Sequence, residues 1–174
     1  MLLLDTTLVS EGARAPAAPD FDAPVLILAV GNLLMGDEGV GVHALRALER
    51  EAPVRGTRLL DGGVGGVNLL DDIQRARTVI MIDATRDGRP AGTVNLLRPK
   101  TVGAIPQGLS AHDFGLKDLF AAAALLGAMP EVHLFTISVE TVKPMCLELS
   151  PPVASAIPAV LQAVRALAGR LVAA

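Results

Sequence analysis

VLILAVGNLLMGDEGVG, residues 25–41, decides the fold. Its first six residues, Val25 to Val30, are continuously apolar, the pattern of a strand buried on both faces of a parallel sheet. An amphipathic segment, Val40 to Arg50, follows and reads as a helix. Asp37 and Glu38 therefore stand where a strand gives way to a helix, and in open α/β sheets ligands bind outside the carboxyl ends of the strands. Asp37 is expected to cap the helix, because free N–H groups and the helix dipole favour an acidic residue there. Glu38 has no such role if it points back over the strand end, which makes it the first candidate for chemistry.

The same alternation continues outward. Thr57 to Leu60 reads as a second strand ending at Asp61, followed by the glycine-rich loop 62–66 and a helix over 67–74. Arg77 to Asp83 is a third apolar strand, 92–97 an edge strand bounded by Pro90 and Pro99, and 112–126 a helix. Val132 to Val139 is the last strand and 153–173 a closing helix, with Pro158 placed near its first turn. A chain of 174 residues, 51% hydrophobic, holds one well-cored domain and is short for two. The expectation is a single three-layer α/β domain over 24–174, a mostly parallel twisted sheet of about five strands with helices on both faces. Residues 1–23, rich in Ala, Pro and Asp, are expected to form a flexible N-terminal arm.

Composition narrows the function. A formal net charge of −3 and a pI near 5.6 leave no electrostatic footprint for nucleic acid. With no Trp, no Tyr and four Phe there is little to stack on bases. A single cysteine, Cys146, excludes an internal disulfide and suits a reducing compartment. The N-terminus lacks the basic and apolar regions of a secretory signal, and the apolar run 119–130 is too short to span a bilayer. The expectation is a soluble cytoplasmic protein with no membrane partner.

Three successive strands run into acidic residues: Asp37 and Glu38, then Asp61, then Asp83. In a parallel sheet these ends share one edge, so the carboxylates are expected to converge, and His112 follows a loop long enough to fold over that edge. Two carboxylates and an imidazole suit a divalent transition metal; two convergent carboxylates also suit acid–base work, and the residues leave both open. Each has a plainer reading. A lone Asp at a strand end is commonly a turn residue or a cap. His43 shares a polar helix face with Arg46 and Arg50 and is expected to be solvated, His133 to sit at the rim, and Cys146 to be a packed or partly exposed thiol. Ser110, His112 and Asp113 are too close in sequence to form a nucleophile–base–orienter triad. No HExxH or paired-cysteine motif is present. A dinucleotide site is disfavoured because Asn32 and Leu33 break the fingerprint after Gly31, and Gly63-x-Gly65 is followed by Asn68 in its third position.

Taken together, GNLLMGDEGVG (31–41), DGGVGGVNLL (61–70), IDA (82–84), SAHDFGL (110–116) and VETVKPMCLELSP (139–151) resemble the nickel–iron hydrogenase maturation endopeptidases. These motifs follow the family's order and span most of residues 25–151. The resemblance implies a cytoplasmic peptidase, classed as aspartyl-type, that removes the C-terminal extension of a hydrogenase large-subunit precursor. It implies nickel carried by the precursor rather than held permanently, with Glu38, Asp83 and His112 as the metal-contacting trio. Asp61 matches a further acidic position of the family's cleft. Asp83 or Asp61 would then activate water, and Gly62, Gly63 and Gly65 would let the substrate tail approach closely. Val64 stands where relatives often carry Thr, and Ala111 replaces a common Pro. A non-proteolytic module binding nickel or a nucleotide in the same cleft is the alternative reading. The oligomeric state stays open.

Overall fold

The computed structural model describes residues 23–105, 109, 116–127 and 129–174; the expected N-terminal arm, apart from Ala23, lies outside them. Strand β1 (Val25–Ala29) leads through a 3₁₀ turn at Gly36–Gly39 into helix α1 (Val40–Leu48). Strand β2 (Thr57–Asp61), helix α2 (Leu70–Arg75), strand β3 (Thr78–Thr85) and strand β4 (Val94–Leu97) follow. Helix α3 (Leu116–Leu125), strand β5 (Glu131–Ser138) and helix α4 (Pro151–Ala173) complete the order. The sheet runs β2-β1-β3-β5-β4, with β4 antiparallel to β5 and every other pairing parallel.

The period of two along each strand builds the two cores. Val25, Ile27 and Ala29 of β1 join Ile80, Ile82, Phe135 and Ile137 against Ala44 and Leu45 of α1 and Val160 and Val164 of α4. Leu26 and Leu28 join Val79, Met81 and Leu134 on the other face, against Ile73 of α2 and Leu119 and Phe120 of α3. Helices thus cover both faces, as the unbroken apolar runs of β1 and β3 require. At the sheet edge, buried Arg58 of β2 donates from Nη1 to Asp72 Oδ1 of α2 at 2.7 Å, which pairs its charge while its stem packs.

Three expectations are corrected. Strand β3 continues past Asp83 to Thr85, because Thr78–Thr85 pairs along its whole length with Glu131–Ser138. Helix α4 starts at Pro151, so Pro158 lies inside it, not in the first turn, on an exposed face. His133 is buried, because it pairs with Ile80 of β3 and so shares the sheet face covered by α1 and α4; its Nε2 lies 2.9 Å from Glu131 Oε1. Helix α4 is also long and apolar enough to cross a membrane, with 23 residues and a mean hydropathy of 1.4. Here its Val153, Val160, Leu161, Val164 and Leu167 go into the core beside α1.

Candidate active site

The strand order reverses direction between β1 and β3: β1 hands the chain to β2 on one side, while β3 adjoins β5 on the other. Such a switch point opens a crevice above the carboxyl ends of the strands. The turn bearing Glu38 packs against β3 at this place. Two glycines make the close fit possible. A Cβ on Gly41 would lie 2.5 Å from both Val30 O and Ile82 O, so only glycine lets the start of α1 sit directly on the ends of β1 and β3. Gly31 has φ +141°, and a Cβ there would collide with the Glu38 carbonyl. Glu38 is thereby carried back over the strand ends, where it is 5% exposed.

Asp83 is carried by β3. Ile82 and Ala84 face α1 and α4, so the intervening Asp83 projects to the α2/α3 side; it is 0% exposed and its Oδ1 accepts the Ala84 N–H at 2.8 Å. Asp61 does not share that face. Its register partner is Ala29, itself level with Ile82, so Asp61 belongs to the α1 side. There its Oδ2 stands 3.9 Å from Arg46 Nη2, and its Oδ1 accepts the Gly63 N–H at 2.9 Å. The expected convergence of all three strand-end carboxylates on one face therefore does not hold: Asp61 lies on the α1 side and Asp83 on the α2/α3 side. His112 lies outside the described residues, and among the described residues no group of three His, Cys, Asp or Glu side chains is gathered as a metal site.

The glycine loop has its own internal logic. A Cβ on Gly62 would press on Leu28, Leu69 and the Ala29 carbonyl, and one on Gly65 would lie 2.8 Å from Gly62 O. Those two glycines are required by the loop's own packing. Gly63 differs: its φ is +50°, its outer side is open, and its carbonyl accepts the Gly31 N–H at 2.8 Å.

Asp37 does not cap α1. Its carboxylate accepts the Ser150 N–H at 2.6 Å and the Ser150 Oγ–H at 2.8 Å, so it ties the turn to the start of α4 across 113 residues of sequence. His43 is not simply solvated either. Its Nε2 meets the Leu147 carbonyl at 3.1 Å; burial lowers its pKa below 6.5, opposed by that hydrogen bond and aided by Arg46. Between these two anchors the chain 143–147 runs beside 34–36, with Cys146 N–H donating to Leu34 O and Gly36 N–H to Cys146 O. Nothing local in VKPMCLELSP (142–151) marks this pairing with a segment a hundred residues away. Cys146 is partly exposed, as expected, with Sγ 3.5 Å from the Glu148 carbonyl.

A family model described as hydrogenase maturation protease matches residues 42–167. The chain is 38% identical over 127 residues to the hydrogenase expression/formation protein HupD of Thiocapsa roseopersicina, covering 70% of this chain and 56% of that one. It therefore spans little more than half the length of that relative. Against the hydrogenase 2 maturation protease of Escherichia coli it is 34% identical over 146 residues, 82% of this chain and 88% of the other. The solved hydrogenase maturating endopeptidase HybD of E. coli superposes with a TM-score of 0.73 at 31% identity, covering 80% of this chain and 88% of that structure.

Proposed function

The chain belongs to the hydrogenase maturation protease family, and on that premise we propose that it is an endopeptidase that removes the C-terminal extension of a nickel–iron hydrogenase large-subunit precursor. The observation that carries this reading is the pair of buried carboxylates, Glu38 and Asp83, at the switch point of the sheet. Nickel enters as part of the substrate, already held by the precursor. Carboxylate oxygens from Glu38 and Asp83, joined by the imidazole of His112, form a donor set that suits such an ion. The nickel, when presented, would polarise and orient the neighbouring peptide group.

Of the two candidate bases, the face of the sheet favours Asp83. It lies on the side of α2 and α3, whereas Asp61 is turned towards α1 and engaged with Gly63 N–H and Arg46. In this mechanism Asp83 takes a proton from the attacking water as its oxygen adds to the scissile carbonyl. Asp61 acts by shaping the loop at Gly63, along which the tail of the precursor runs. The single cysteine, Cys146, supports a cytoplasmic setting, where thiols stay reduced.

Intact-mass analysis of a precursor, nickel-loaded or nickel-free, after incubation with this protein tests the reading. Loss of a C-terminal peptide from the nickel-loaded form alone is the expected result. Cleavage of both forms would keep the peptidase and discard nickel recognition. No cleavage of either form would overturn the peptidase itself.

A further inference from the structure

The carboxyl edge of the sheet carries a rim of exposed apolar side chains. Leu34 is 52% exposed, Val64 52%, Met145 86% and Leu147 60%. Leu34 and the pair Met145 and Leu147 are neighbours, because Cys146 N–H donates to the Leu34 carbonyl at 3.1 Å. The Gly31 N–H to Gly63 O bond brings the loop of Val64 to the same segment. The rim is held firmly, by Gly36 N–H on Cys146 O at 2.7 Å, by His43 on Leu147 O, and by Asp37 on Ser150.

Met145 is the informative member. Its φ is +58°, the only positive value at a non-glycine among the described residues. L side chains are disfavoured there and glycine is the default. With 86% of the residue in solvent, no burial offsets that strain. The turn at 144–145 accounts for the exposure but not for a large apolar side chain where glycine is the default, and strain maintained at an exposed position points to binding.

We propose that Leu34, Met145 and Leu147 form the docking surface for the folded body of the hydrogenase large-subunit precursor. This rests on the proteolytic reading above. The supporting argument is continuity: the rim is hydrogen-bonded to the segment that carries Glu38. A protein that presents a metal to Glu38 and Asp83 covers about 800 Å² of this chain's surface, far more than two carboxylates. The rim adjoins the Glu38 turn, since Gly36, the first residue of that turn, donates its N–H to the Cys146 carbonyl. Flexible thioether side chains adapt well to such a partner surface.

The test uses Met145→Gly and Leu147→Ser in the full chain. Met145→Gly removes the side chain while relieving the left-handed backbone, so its thermal midpoint should stay within about 2 °C of wild type or rise. Equilibrium binding to a large-subunit precursor and the kinetics of its cleavage are measured side by side. Each variant should raise Kd and KM about tenfold and leave kcat within about twofold. Wild-type Kd in both variants overturns the dock even where wild type cleaves. If wild type binds without cleaving, the proteolytic reading fails, and the Kd values alone decide the dock by the same standard. Neither binding nor cleavage by wild type overturns both. If sedimentation shows that the variants abolish self-association while Kd is unchanged, the rim belongs to a second copy of the chain, and the proposal is wrong.

Discussion

Replacing Asp37 with Ala removes the acceptor for two hydrogen bonds from Ser150, at 2.6 and 2.8 Å, and with them the link between the Glu38 turn and the start of α4. A hydrogen bond to a charged group contributes about 1.5–3 kcal/mol. Ser150 is partly exposed, so water recovers part of the loss for its N–H and hydroxyl. The carboxylate itself is buried, and its removal leaves a small void as well as unpaired donors. The net destabilisation is therefore about 2–3 kcal/mol, which for a domain of this size lowers the thermal midpoint by about 4–12 °C. Asp37→Asn keeps a carbonyl oxygen for the N–H and an amide that the Oγ can accept from, so its loss should be nearer 1 kcal/mol. Calorimetry or far-UV circular dichroism on the three proteins measures both steps. A midpoint for Asp37→Ala within about 2 °C of wild type would refute the tether. So would an Asp37→Ala protein of unchanged stability that has lost precursor cleavage, since Asp37 would then belong to the chemistry with Glu38.

Three further outcomes are expected. Asp83→Asn should slow precursor cleavage by about 10²–10⁴-fold, whereas Asp61→Asn, on the opposite face, should slow it less than about tenfold; equal losses in the mass assay would contradict the placement of the base. Folding lowers the His43 pKa below 6.5, chiefly through burial, so the unfolded chain takes up that proton first as the pH drops. Stability attributable to His43 is complete above pH 6.5 and is lost as the pH falls through the folded value, so urea melts of His43→Gln should show a flatter pH dependence than wild type. Gly41→Ala forces a methyl group to within 2.5 Å of two backbone carbonyl oxygens that cannot rotate away. It should cost about 1–3 kcal/mol or more by urea denaturation, and a neutral result would mean that α1 can slide off the strand ends.

Much of this was legible along the chain. Continuous apolar runs at 25–30 and 77–83 announce strands covered on both faces, and the alternation with amphipathic segments requires a parallel α/β sheet. Glu38 and Asp83 were nameable as edge residues because parallel strands place their carboxyl ends together whatever lies between them in sequence. Other assignments failed for want of a partner. Whether Asp37 caps its own helix or Ser150, and whether His43 meets water or Leu147, depends on what packs there, and propensity scales carry none of that. The burial of His133 is of the same kind: an apolar run shows where a strand is, not which helix covers the face its first residues share with Ile80.

The sequence by itself determined the layers, the order of the elements and the edge that holds the site, since those follow from hydrophobic periodicity and connection geometry. Tertiary structure alone decided which face of the sheet each carboxylate takes. Side chains alternate along a strand, so a register of one residue puts Asp61 on the α1 face and Asp83 on the other, and register is set between strands. It also built the second wall, where 143–147 lies against 34–36 through backbone hydrogen bonds that carry no side-chain signature. Main-chain bonds are alike for every residue, and only the packed fold says which of them meet.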